Sequence, residues 1–170
     1  MLLFNLLFTV FTTSSFYSLQ FQDIDNNTVS MSQFEGKKIL LVNIASGSAR
    51  VNQLSGLQQL HQQYGDSVVV IGFPSNSFGH EPLSDAAIKQ FCQTNYGVTF
   101  LLASKNPVAG PVNQTLFNWL TSAEENEVTN EPIKGDFQKY LINETGNLIG
   151  IFSPAVQPTS EELTSALSIR

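Results

Sequence analysis

The 170-residue chain is 42% hydrophobic and 13% charged, which excludes a disordered polymer and suffices for one domain with a sizeable core. Its formal net charge is −6 and it has no Lys/Arg cluster, which argues against nucleic acid and anionic lipid as partners. A single cysteine, Cys92, leaves no intrachain disulfide and no multi-cysteine zinc site, and two histidines are too few for a metal cluster.

The N-terminus reads "MLLFNLLFTVFTTSSFYS". An apolar run over residues 2–11 is followed by small polar residues at Thr12 to Ser15. This is the pattern of a secretory segment, and it is too short to span a bilayer. A basic leader is missing, since the first lysine is Lys37. Residues 1–18 are therefore a candidate signal peptide, with export to the periplasm or the cell exterior as the expected location. The alternative is a buried or membrane-touching N-terminal helix on a cytoplasmic protein. Asn26-Asn27-Thr28, Asn113-Gln114-Thr115 and Asn143-Glu144-Thr145 fit the N-glycosylation pattern, which matters only for an exported eukaryotic protein.

"LQFQDIDNNTVSMSQF" reads as two short strands around an Asp25-Asn26-Asn27 turn. Lys37 to Ile44 is an apolar, central strand. From Ala49 to Tyr64 the apolar residues Val51, Leu54, Leu57, Leu60 and Tyr64 share one helical face, and Gly65-Asp66 ends the helix. Val68 to Phe73 is a second buried strand. Ser84-Asp85 opens a helix with Ile88, Phe91 and Cys92 on one side. Val98 to Leu102 reads as a strand and Val112 to Leu120 as a helix, and a polar loop runs from Ser122 to Lys134. Phe137 to Ile142 and Leu148 to Phe152 form a hairpin around Asn143-Glu144-Thr145-Gly146. Pro158 to Leu167 is the last helix, with an acidic first turn. This order predicts an α/β domain over residues 19–170: a mixed central sheet, helices on both faces and an N-terminal β-hairpin, the arrangement of the thioredoxin-like fold.

Four stretches stand out together: "GKKILLVNIAS", "VIGFPSNSFGHEP", "FCQTNYGVTF" and "DFQKYLINETGNLIGIFSP". They resemble the glutathione peroxidase family in content, order and spacing, from about Phe21 to Leu167. The family's motifs read VNVAS-K-C-G, FPCNQFG-(G)-QEP and FC-x-x-NYGVTFP. The resemblance implies a thioredoxin-like fold and thiol-dependent reduction of hydrogen peroxide and organic hydroperoxides. The reductant would be glutathione or thioredoxin, with no cofactor or metal, and no transmembrane span in the mature domain. In the family a cysteine or selenocysteine attacks the peroxide bond as an anion, placed at a strand-to-helix turn. Gln, Trp and Asn surround that anion with N–H donors.

Carried onto this chain, the tetrad is replaced throughout. Ser48 stands at the attacking position, Ser77 at that of Gln, Gly135 at that of Trp and Asp136 at that of Asn. Gly47 and Ala49 replace the flanking Lys and Gly, and Leu101 replaces the Pro after "YGVTF". Cys92 is retained at the position that some members use to resolve the oxidised sulfur, but a serine cannot form a disulfide with it.

A serine hydroxyl ionises far less readily than a thiol and has no sulfenic acid cycle. Ser48 therefore reads as a helix N-cap. An acyl-transfer role with His61 as base is the sharper alternative, but the stretch lacks a G-x-S-x-G elbow and His61 lies on the following helix. Cys92 reads as a buried, inert side chain, with slow single-thiol chemistry as its alternative. Asn76, Ser77 and His80 read as loop residues, His61 as exposed helix surface and Asp136 as a solvated carboxylate. Two functional classes follow. One is a weak or residual peroxidase and the other a non-catalytic binding protein on a peroxidase scaffold.

Overall fold

The computed structural model describes residues 15–110 and 115–168. An antiparallel hairpin opens the fold, pairing β1 (Gln20–Gln22) with β2 (Thr28–Ser30). Its turn is held by the Asp23 carboxylate, which accepts from the N–H groups of Asp25 and Asn27 at 2.9 and 2.8 Å. Asn26 takes the left-handed conformation that this turn requires (φ 68°).

Strand β3 (Lys38–Ile44) is buried at all seven positions. It pairs in parallel with β4 (Val68–Pro74), from Lys38 opposite Val68 to Ile44 opposite Pro74. The short β5 (Leu101–Leu102) extends this edge in parallel, whereas β6 (Lys139–Ile142) and β7 (Leu148–Phe152) are antiparallel. The strand order is β5-β4-β3-β6-β7. β3 therefore lies at the centre with both faces covered, which is why its sequence shows no polar alternation.

The two faces bury separate clusters. Ile39 and Leu41 of β3 pack with Phe16, Phe21, Phe73, Trp119 and Tyr140, while Leu40, Val42 and Ile44 pack on the other side. That second side is covered by α1 (Gln53–Tyr64), α2 (Asp85–Tyr96) and α5 (Glu161–Ser168), through Leu57, Ile88, Cys92 and Leu163. The first side receives the short α3 (Thr115–Leu120). There Phe73 meets Phe21 and Phe117 edge-on at ring separations of 5.1 and 5.2 Å.

Several boundaries move from their expected places. The strand expected over Val98–Leu102 survives only at Leu101–Leu102, and the one expected from Phe137 begins at Lys139. The last helix begins at Glu161 rather than Pro158, and the loop from Ser122 contains a short helical turn, α4 (Ala123–Asn126). Asn126 organises that loop. Its side chain donates to Trp119 O at 2.7 Å and accepts from Val128 and Thr129 N–H, three bonds that local polarity does not announce. Of the expected helix from Val112, residues 112–114 lie outside the described residues, as does most of the candidate signal peptide. Phe16, inside that segment, is 1% exposed and its ring meets that of Trp119 at a 60° tilt, centroids 5.1 Å apart. Among the described residues, no helix is long and apolar enough to cross a membrane.

Candidate functional site

Three chain segments meet at the C-terminal end of β3: residues 45–53, 75–83 and 135–138. Asn43 anchors the third to the strand. Its Nδ2 donates to Gly135 O at 3.0 Å, its Oδ1 accepts from Gln138 N–H at 3.1 Å, and its carbonyl accepts from Phe137 N–H at 2.7 Å. Phe137, fully buried, adopts a positive φ of 67°, a strained conformation that these bonds and its burial maintain.

After β3 the chain does not pass directly into a helix. Ser48, Val51, Gln53 and Leu54 donate to the carbonyls of Ala45, Ser48, Arg50 and Val51, a run of tight three-residue turns. Helix α1 begins only at Gln53, and the residue before it, Asn52, makes no side-chain cap bond. This corrects the reading of Ser48 as the cap of a helix from Ala49. The first amides are satisfied by backbone carbonyls three residues back, so no side-chain acceptor is required. Ser48 is 4% exposed, and its Oγ accepts from Arg50 N–H at 3.3 Å. Lying more than a turn ahead of α1, it gains little from that helix dipole.

The 75–83 loop is zipped onto this turn. Gly47 N–H donates to His80 O at 2.9 Å. Glu81, 1% exposed, accepts from Ser46 N–H at 2.6 Å, Ser46 Oγ at 2.7 Å and Leu83 N–H at 3.2 Å. Its own N–H donates to Asn76 Oδ1 at 2.9 Å, which gives Asn76 a structural task. Ser77 faces elsewhere. Its Oγ accepts from Val108 and Ala109 N–H at 3.0 and 3.2 Å and from Ser75 Oγ at 3.0 Å, so it ties the loop to residues 108–109.

Asp136 and His80 both depart from expectation. Asp136 is not solvated: its side chain is 2% exposed and its Oδ2 lies 2.6 Å from His80 Nδ1. Its Oδ1 is buried without a hydrogen-bond partner. His80, 53% exposed, is thus half of a pair rather than a free turn residue. The burial of Asp136 follows from Asn43, which draws residues 135–138 against β3 and leaves the intervening carboxylate facing the 75–83 loop. His61 is not free surface either. Its Nδ1 is buried without a partner, its ring meets Phe100 edge-on at 6.3 Å, and it makes no hydrogen bond to Ser48.

Cys92 is 2% exposed within the α1/α2/α5 cluster. Burial, reinforced by the Glu81 carboxylate, pushes its thiol up to about 12. Lys139, which residue-level reading passed over, is wholly buried beneath the site. Its Nζ donates to Gln53 Oε1, Phe137 O and Val156 O at 2.6, 2.7 and 2.6 Å. Burial, with a smaller push from Arg50, brings its pKa down to about 8. Apolar periodicity says nothing of it, because only the tertiary arrangement supplies its three acceptors. Among the described residues, no group of three or more His, Cys, Asp or Glu could hold a metal ion.

The family model described as glutathione peroxidase matches residues 16–121. The chain is 38% identical over 160 residues to glutathione peroxidase-like peroxiredoxin 2 of Saccharomyces cerevisiae, covering 92% of this chain and 99% of that protein. It is 36% identical over 157 residues to a hydroperoxy fatty acid reductase of Synechocystis sp., with coverage of 88% and 93%. Its fold superposes on the apo crystal structure of Trgpx with a TM-score of 0.70 at 29% identity, covering 91% and 93% of the two chains. At 14% identity it also matches the Mycobacterium tuberculosis DsbF structure with a TM-score of 0.60, covering 92% and 98% of the chains, a likeness of fold.

Proposed function

Since the chain belongs to the glutathione peroxidase family, we propose that it keeps the peroxidase scaffold and performs the family's thiol-dependent hydroperoxide reduction weakly or not at all. One observation carries this reading. The position of the attacking sulfur holds Ser48, and the chain's one thiol, Cys92, is buried and pushed up to about 12. Reduction of an O–O bond by this route needs a thiolate near neutral pH, and the site offers none. The surroundings agree. Ser77 is spent on residues 108–109, and Asp136 places a carboxylate where the family uses a neutral amide. The alternative is a non-catalytic binding or interaction protein on a peroxidase scaffold.

The test is a coupled assay in which hydrogen peroxide or a fatty acid hydroperoxide is offered with glutathione or thioredoxin as donor. The wild type is expected to show no turnover above background, and Cys92→Ser is expected to change nothing. Family-like turnover by the wild type overturns the proposal. Ser48→Cys reports whether the scaffold still accepts peroxide, and Ser48→Cys combined with Asp136→Asn should be the more reactive, because a neighbouring carboxylate disfavours a thiolate.

A further inference from the structure

The His80–Asp136 pair is assigned no part in hydroperoxide reduction, yet it has the form of an acid–base device. The Asp136 carboxylate is buried, bonded through Oδ2 to His80 Nδ1 at 2.6 Å, while the His80 ring is half-exposed. No hydrogen bond occupies His80 Nε2 among the described residues. A carboxylate on Nδ1 orients the ring, leaves Nε2 as the acceptor in the neutral imidazole, and stabilises the imidazolium once a proton is taken up. The bonds Gly47 N–H to His80 O and Ser46 to Glu81 hold this histidine's loop on the turn that carries Ser48. The backbone N–H of Ala49, the residue after Ser48, is also uncommitted among the described residues. It is therefore available to an oxyanion, the use made of the corresponding N–H in hydrolases.

We propose that Ser48, His80 and Asp136 form a nucleophile, a general base and an orienting carboxylate for acyl transfer to small activated esters. In the described conformation Ser48 Oγ accepts from Arg50 N–H at 3.3 Å, a long bond, and the proposal requires the hydroxyl to turn from it toward Nε2. The step balances without an added oxidant or reductant. Ser48 Oγ forms a bond to the ester carbonyl carbon and its proton passes to His80 Nε2. The carbon–oxygen bond to the leaving alcohol then breaks and the alcohol takes that proton. Water, deprotonated by the same nitrogen, releases the acid and restores Ser48. His61, the base considered from sequence, has no part in this.

The experiment uses the full chain and a fluorophosphonate probe, which modifies an activated serine with loss of fluoride. Adducts are located by peptide mass mapping, and p-nitrophenyl acetate hydrolysis is followed alongside. One adduct on Ser48 is expected in the wild type, none in Ser48→Ala, and labelling about a hundredfold slower in His80→Ala and His80→Gln, in keeping with the usual worth of a general base. Asp136→Asn should slow labelling similarly. Because that carboxylate is buried, the two variants of the exposed His80 decide the matter should Asp136→Asn misfold. An unlabelled wild type, an adduct on another serine, or labelling indifferent to His80 would each overturn the proposal. The readout involves no peroxide, so its failure is separable from any failure of the inactive-peroxidase reading.

Discussion

Glu81 and Ser46 are joined twice: the buried carboxylate accepts the Ser46 N–H at 2.6 Å and the Ser46 hydroxyl at 2.7 Å. This fastens the end of β3 to the 75–83 loop and holds His80 beside the Ser48 turn. Glu81→Ala would leave the N–H groups of Ser46 and Leu83 without their acceptor in a buried setting. Hydrogen bonds to a charged group contribute more than neutral ones, so a loss of about 2–4 kcal/mol is expected, measured by urea denaturation. Glu81→Gln, which keeps one acceptor oxygen, should lose less.

Lys139 gives the protein a distinctive alkaline response. Its folded pKa, about 8, lies below the ordinary lysine value of 10.5. Between those values the unfolded chain binds more protons than the folded one, so this group makes stability rise with pH. Cys92, raised to about 12, acts oppositely above about 9, so the effect should be read as a difference between variants. The stability of the wild type minus that of Lys139→Met should grow by roughly 2–3 kcal/mol from pH 7 to pH 10. A flat difference would show that Lys139 titrates normally.

Alkylation of Cys92 should require unfolding. With the thiol at about 12 and 2% exposed, its thiolate at pH 8 is scarcer than an ordinary thiol's by roughly three orders of magnitude. Iodoacetamide is expected to label the native protein at least about a hundredfold more slowly than the urea-unfolded chain, with intact mass as the readout. Comparable rates would place the thiol in solvent.

Gly47 marks a close approach of backbone to backbone. A Cβ built there would lie 2.8 Å from the His80 carbonyl oxygen, closer than real contacts allow. Gly47→Ala must therefore break the 2.9 Å bond between these residues or move the loop. A cost of about 1–3 kcal/mol is expected from thermal or urea unfolding, as for other overpacking substitutions.

Much of the architecture was legible in the chain. The apolar runs at Lys38–Ile44 and Val68–Pro74, the helical period in α1 and α2 and the closing hairpin all form as the pattern predicts. Here local preference and burial point the same way. Edges were less legible. The turns from Ala49 to Gln53 read as helix because Val51 and Leu54 keep the apolar spacing, although the hydrogen bonding is not yet helical. In the candidate site, the partners of these residues were not legible. His80 and Asp136 are 56 residues apart, and no periodicity links them.

By itself, the sequence determined the family and the sheet-and-helix order. These follow from residue identity and short-range spacing. The tertiary structure alone decided that Asp136 is buried against His80, that Ser77 serves residues 108–109, that Cys92 is shut into the core and that Lys139 is neutralised toward pH 8. Each depends on desolvation and on partners brought from distant segments, and those energies exist only once the chain has closed around the end of β3.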